Sequence, residues 1–386
     1  MIEPRPSTPH LVLVGAGHAH LHSLARLDAF ARQGVAVTVV STAPFWYSGM
    51  GPGLLSGQYE AADASVDVRT MVENRGGRFI DGRVAAIDAE RRSLVTESGE
   101  ELSYDVLSLN IGSTVAGPSN GAELSRLFPV KPVSGFLDLR HALLDSGAKR
   151  TIRLIVVGGG PAGCEAAANA RALCVRQGRR ADIRLVSATD RLLPGLPPVA
   201  GARMAVWFQS HGIAVDTGRR VAKYEANDIL FADGSRSEAE FVVLATGVHP
   251  PGLLRGSGLV VDDDGALLVD RHLQSISHPG VFGGGDCICF QPRALDRVGV
   301  HAVRQGPVLF GNLLAALCGG RMRAFSPQRR YVLILNLGDA TGLLVRGAFV
   351  ASGRLAFHLK KWLDNRFVDR YQRAVRLAMP RPGAHR

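Results

Sequence analysis

The sequence has no uninterrupted apolar run of the ~18 or more residues that a membrane span requires, so no segment is expected to cross a bilayer. It opens Met1-Ile2-Glu3-Pro4-Arg5-Pro6, without the basic-then-apolar pattern of a signal peptide, and export is not expected. Cysteine is scarce. The five (Cys164, Cys174, Cys287, Cys289, Cys318) give neither a secreted disulfide framework nor a C-x-x-C dithiol. In Cys287-Ile288-Cys289 a strand would turn the two thiols to opposite faces, so the thiols are expected to pack as small apolar groups. These absences together imply a cytoplasmic protein.

What is present is glycine and short apolar strands. The chain has 386 residues, 46% hydrophobic, with 45 glycines. That length exceeds one small core and implies two domains with a tail. Two glycine-rich turns each follow an apolar strand and open a helix. Gly15-Ala16-Gly17 follows Leu11–Val14, and Gly158-Gly159-Gly160-Pro161-Ala162-Gly163 follows Leu154–Val157. A glycine there lets the backbone approach a pyrophosphate, and the helix start offers free N–H groups and a positive dipole end. Two such turns imply two bound dinucleotides.

The pattern predicts strand Leu11–Val14, helix His18–Arg32 and strand Val35–Val40 in the first unit. The second has strand Ile152–Val157, helix Ala162–Gln177 and strand Ile183–Val186. Between them lie an aromatic- and glycine-rich loop, Phe45–Gly57, and strands over Arg78–Asp88, Ser93–Thr96 and Tyr104–Leu109. Phe241–Ala245 reads as a strand and Val300–Leu317 as a helix. The tail reads as strands Tyr331–Leu337 and Leu343–Val350, then a helix Leu355–Ala378.

Both turns depart from the full pattern. The first has His20 in the third glycine position, where close helix–strand packing favours a small residue. Neither following strand ends in the acid that would bind a ribose: Val40 leads to Ser41-Thr42, and Val186 to Ser187. Arg191 follows the second, and an arginine can pair with a 2′-phosphate, so NADH and NADPH both stay open. His18 and His22 share a helix face, but zinc needs three or four ligands, and no metal is expected.

Charge is uneven. From Arg354 to Arg386 nine basic and two acidic side chains carry +7 of the net +11. The tail helix also carries an apolar stripe (Leu355, Leu359, Trp362, Leu363, Phe367, Tyr371, Ala374, Ala378). Such a helix suits an anionic membrane surface; nucleic acid is not expected. The alternative cover for the stripe is the protein's own core or a homodimer partner.

The order of features carries a resemblance: phosphate turn, Tyr47-Ser48-Gly49-Met50-Gly51-Pro52-Gly53 loop, Asn110-Ile111-Gly112-Ser113, Lys131-Pro132, second phosphate turn, Ala245-Thr246-Gly247, then Gly285-Asp286. It resembles the two-dinucleotide-binding flavoproteins of the pyridine-nucleotide oxidoreductase superfamily. Within these it is similar to type II NADH:quinone oxidoreductases, and to a flavoprotein module fused in some organisms to selenophosphate synthase. The resemblance implies an α/β fold of two Rossmann-like domains, the second inserted in the first, with a short C-terminal α+β tail. The FAD-binding domain would comprise 8–130 and 246–330, the NAD(P)H-binding domain 131–245, and the tail 331–386.

It further implies FAD at Gly15, Ala16, Gly17, His18, Ser41, Thr42, Pro52, Gly112, Gly285, Asp286 and Ala302. NADH or NADPH would lie at Gly158, Gly160, Pro161, Gly163, Ser187, Arg191 and Gly247. Gln305 would border a quinone pocket and Lys131 would approach the flavin. The implied activity is hydride transfer from NAD(P)H to FAD, then electron transfer to a quinone or another small acceptor, on the inner face of the cell membrane. Sulfide or selenium-compound oxidation, and a nucleotide-responsive sensor without turnover, are the alternatives.

Overall fold

The computed structural model describes residues 8–115, 126–147, 150–225 and 227–377. Ten strands build two main sheets: β1 (His10–Val14), β2 (Ala36–Ser41), β3 (Arg78–Asp81), β4 (Val106–Leu109), β5 (Leu127–Pro129), β6 (Ile152–Val157), β7 (Ala181–Val186), β8 (Ala214–Asp216), β9 (Phe241–Leu244) and β10 (Val281–Gly283). One sheet runs β10-β4-β1-β2-β3 and the other β5-β9-β6-β7-β8. All pairs in both are parallel. This is the α/β, Rossmann-like arrangement. Parallel sheets are covered on both faces, which is why Leu11, Val12 and Leu13, or Leu154 to Val157, are continuously apolar and buried.

Four helices matter to the site: α1 (Gly51–Ser56), α2 (Pro161–Arg176), α3 (Gly299–Cys318) and α4 (Arg354–Arg376). Pro161 takes the first helical position of α2, where its missing N–H costs nothing. The helix expected over His18–Arg32 is two short helices, Leu21–Leu24 and Leu27–Ala31. Arg26 breaks it, with φ −135° and ψ 25°. The strand expected over Arg78–Asp88 is likewise interrupted at Gly82, φ +150°, and its second half, Val84–Asp88, joins a separate antiparallel sheet. The aromatic-glycine loop folds as a short strand, a 3-10 turn and α1. A Cβ on Gly53 would lie 2.3 Å from the Tyr59 ring.

The tail is an antiparallel sheet, β11 (Leu333–Asn336), β12 (Gly342–Arg346) and β13 (Phe349–Gly353), followed by α4. The expected strand Leu343–Val350 is thus a hairpin with one strand more than the sequence pattern suggested. The expected end of the last helix, Ala378, lies outside the described residues. The tail contacts both sheet-bearing units. Asn169 on α2 donates to Asn336 O at 2.9 Å, and Arg203 donates to Val350 O at 2.9 Å. On the other side Gln372 donates to Ala62 O and Ser65 O. The buried Arg75 donates to Ala374 O at 2.5 Å near the end of α4, where orphan helix carbonyls need donors.

Candidate functional site

The first glycine turn is shaped by the end of β4. Gly15 has φ +84°, and a Cβ there would fall 2.4 Å from Asn110 O. On Gly17 it would fall 2.5 Å from Asn110 Oδ1. Close packing against Asn110 therefore requires glycine at both positions. Ser41 Oγ accepts the Ala16 N–H at 3.0 Å, so Ser41 braces the turn from β2, with Thr42 next to it.

His20 replaces the missing third glycine by a different device. Its ring is fully buried, with Nδ1 2.5 Å from Gly15 O and Nε2 2.8 Å from Ser108 Oγ. Burial lowers its pKa to about 4, so a neutral imidazole staples the turn to β4. His18 packs instead among Phe45, Tyr47 and Phe367, with centroids 4.9, 5.6 and 6.0 Å away. Burial takes it too down to about 4, against the pull of Asp286. His22 faces Phe310. The three imidazoles thus serve three different partners.

Asn110 opens the Asn110-Ile111-Gly112-Ser113 strand end, and that motif assigned it no role of its own. It is buried, and Oδ1 accepts from Ala19 N at 3.0 Å and His20 N at 3.2 Å. Its Nδ2 donates to Gly284 O at 2.6 Å. One side chain therefore ties the first turn to the Gly284-Gly285-Asp286 turn, whose Gly284 lies 174 residues beyond Asn110. The available signal was Asn at a strand end beside a glycine turn, a weak one in isolation.

Asp286 accepts from Ser113 Oγ at 2.7 Å and pairs with Lys131, whose ammonium also reaches Ser113 Oγ at 2.8 Å. Burial raises the Asp286 pKa, but Lys131, the hydrogen bonds from Lys131 and Ser113, and His18 outweigh it and hold the carboxyl below its usual range. A charged acceptor is thus available for a hydroxylated chain. Gln305 lines a small cavity with Gly285, Asp286 and His301. It is buried, and its Oε1 accepts the Gly285 N–H at 2.7 Å, so it braces the Asp286 turn from α3. Ala302, also buried, lies one turn earlier on that helix.

The second turn has its three glycines for separate reasons. Gly158 has φ +128° and a Cβ on it would fall 2.1 Å from Ala245 O; on Gly163 it would fall 1.9 Å from Gly158 O. Gly160 is different, because a Cβ there meets no protein atom within 4 Å. Ser187 is buried behind the turn and bonded to Thr189 Oγ1 at 2.8 Å. Arg191 donates to the carbonyls of Leu193, Pro194 and Leu196. Its guanidinium is thus engaged inside its own loop. Gly247, φ +116°, precedes Val248, whose carbonyl accepts from Arg297 at 3.0 Å.

The tail helix supplies residues that spacing alone did not single out. Lys360 is buried and donates to Gly49 O at 2.7 Å and Asp364 Oδ2 at 2.8 Å. Tyr47 donates to Asp364 Oδ1 at 3.2 Å and stacks on Phe367 at 4.5 Å. Glu165, just past Gly163, accepts the Asn336 N–H at 2.7 Å. Burial pushes its carboxyl up to about 7, opposed by Lys360. A buried ionisable cluster therefore lies where α4, the Pro52 loop and α2 meet. The thiols do not form a pair. Cys287 is buried, donating to Leu109 O and Gly284 O. Cys289 lines a cavity of about 410 Å³ beside Val248, Phe290 and Arg297.

Residues 9–306 match the family described as Pyridine nucleotide-disulphide oxidoreductase. The chain is 26% identical over 318 residues to ferroptosis suppressor protein 1 of Taeniopygia guttata, covering 79% of this chain and 80% of that protein. It is 29% identical over 220 residues to the ferredoxin–NAD(+) reductase component of the biphenyl dioxygenase system of Paraburkholderia xenovorans, but spans only 48% of that protein with 53% of itself. Its fold superposes on the sulfide:quinone oxidoreductase of Aquifex aeolicus with a TM-score of 0.80 at 15% identity, covering 95% of this chain and 92% of the other.

Proposed function

The chain belongs to the pyridine nucleotide-disulphide oxidoreductase family of FAD-dependent NAD(P)H oxidoreductases, and from that premise we propose that it reduces an apolar, quinone-like acceptor at a membrane surface. When bound, FAD takes a hydride from NAD(P)H and passes electrons on. The chain's part is binding and exclusion of water. In this reading Gly15, Gly17 and the first helix hold the FAD pyrophosphate, Asp286 with Ser113 and Lys131 holds the ribityl chain, and Pro52 lies beside the ring. Gly158, Gly160 and Gly163 receive the nicotinamide nucleotide in the 131–245 domain. Glu165, whose carboxyl is pushed up to about 7 by desolvation, can hold or release a proton in its buried cluster with Lys360 and Asp364.

The observation that supports this acceptor is the outer face of α4. Leu355, Leu359, Trp362 and Leu363 are exposed there, beside Phe349, with Lys361, Arg366 and Arg370 around them. The opposite face (Ala356, Phe357, Lys360, Asp364, Val368, Tyr371) is buried on the protein. One helix thus covers the core and still presents a basic, apolar surface suited to anionic headgroups. Among the described residues no helix is long and apolar enough to cross a membrane.

Rapid mixing of the FAD-loaded protein with nucleotide tests the hydride step. With no acid at either ribose position and Arg191 engaged elsewhere, NADH and NADPH are expected to bleach the flavin with second-order constants within about tenfold of each other, about 1.4 kcal/mol. Turnover with a soluble quinone is then expected to exceed turnover with a ferredoxin; the reverse order overturns the acceptor. A separate prediction concerns the surface. Trp362→Glu is expected to cut flotation with anionic liposomes at least fivefold while flavin reduction by NAD(P)H is unchanged, because Trp362 is 55% exposed and a charge in the inserted face opposes binding.

A further inference from the structure

His301 occupies the first turn of α3 and is 6% exposed. Tyr331 from the tail closes on it edge-on, with ring centroids 5.5 Å apart, and the Tyr331 hydroxyl is held by Asp296 at 3.0 Å. The imidazole is therefore fixed. Yet its Nδ1 is buried with no hydrogen-bond partner. An orphaned buried polar atom costs about 1–3 kcal/mol, so a ring held this firmly implies a partner from outside the chain.

The direction of that partner is set by what shares the cavity. His301 lines it together with Gly285, Asp286, Arg297 and Gln305. Asp286 and the Gln305-braced turn form one wall. The start of α3 forms another, and no side chain caps that helix, so its dipole favours electron-rich groups there. Burial lowers the pKa of His301; Asp296 opposes this, and Arg293 and Arg304 add to it. At neutral pH the ring is neutral and carries a single N–H, a donor without a charge.

We propose that His301 is a cofactor-contacting residue whose Nδ1–H donates to the electron-rich pyrimidine edge of FAD and thereby favours the reduced state. This rests on the reading that FAD lies between the first glycine turn and α3. A neutral donor that strengthens its bond on reduction raises the flavin potential without altering how the nucleotide binds.

The test is dye-equilibrated reduction of the purified, FAD-loaded full chain, comparing wild type with His301→Leu and His301→Asn. Leucine keeps the packing against Tyr331 and removes the donor. Asparagine keeps a nitrogen near the position of Nδ1. His301→Leu is expected to shift the reduced-to-oxidised ratio about tenfold toward oxidised, a potential lower by about 30 mV for a two-electron couple. His301→Asn is expected to stay within threefold of wild type. A yellow His301→Leu protein with an unmoved potential overturns the assignment, as does a His301→Asn that shifts as far as leucine. A colourless wild type after FAD reconstitution instead overturns the FAD reading itself.

Discussion

Gly160→Val is expected to leave a folded, yellow protein whose colour NADH and NADPH no longer bleach. The three glycines of the second turn look alike in sequence, but their surroundings separate them. A Cβ on Gly158 or Gly163 would strike a backbone carbonyl at 2.1 or 1.9 Å, so alanine at either site disturbs the β6–α2 packing and confounds folding with binding. At Gly160 φ is −77° and a Cβ would meet nothing within 4 Å. A branched side chain there is tolerated by the fold and projects into the space from which a pyrophosphate would meet the N–H groups of α2. The loss expected is about 100-fold or more in the second-order constant of flavin reduction, about 2.8 kcal/mol. The melting temperature should stay within about 1 °C of wild type, the shift that roughly 1 kcal/mol gives in a chain of this length. Dithionite must still reduce the flavin, which separates a lost nucleotide site from a damaged flavin. Bleaching at the wild-type rate would remove the second turn from the nucleotide site.

The sequence announced the sheets and both turns because those features are local. A run such as Leu154-Ile155-Val156-Val157 is apolar throughout since a parallel strand is buried on both faces, and the glycine turn at its end needs no distant residue to be recognised. The cross-links were not legible. His20 reads as a defect in the first turn, and only its two hydrogen bonds to Gly15 O and Ser108 Oγ reveal a staple. Gln305 reads as a polar group on a helix beside a pocket, yet it faces the Gly285 N–H. Lys360 reads as one of many basic residues on an amphipathic helix. Its burial depends on Gly49 O and Asp364, partners separated by more than three hundred residues in one case. The stripe read on α4 was real but divided: Phe367 and Tyr371 face the protein, while Leu355, Leu359, Trp362 and Leu363 stay outside. Periodicity gives a face, and tertiary contact decides what covers it.

Asn110→Leu is expected to weaken FAD binding about 10- to 100-fold while leaving the nicotinamide site intact. Leucine keeps the branched heavy-atom skeleton of asparagine, is bulkier, and has no polar atoms. The Ala19 N–H, which rests on Asn110 Oδ1 at 3.0 Å, would be orphaned, and Gly284 O would lose its donor at 2.6 Å. Each buried unpaired group costs about 1–3 kcal/mol, and the first turn and the Asp286 turn relax apart to recover partners. Both turns lie in the proposed FAD cradle, so FAD held at both ends would register the relaxation as lost affinity; 10- to 100-fold corresponds to about 1.4–2.8 kcal/mol. The second turn shares no hydrogen bond with Asn110. Titration of apoprotein with FAD, followed by quenching of flavin fluorescence, measures the first effect. Calorimetric titration with NAD(P)H measures the second and is expected to change less than twofold. An Asn110→Leu protein that binds FAD within threefold of wild type would mean that the two turns hold their geometry independently, and that the cradle is set by the glycines, His20 and Gln305 alone.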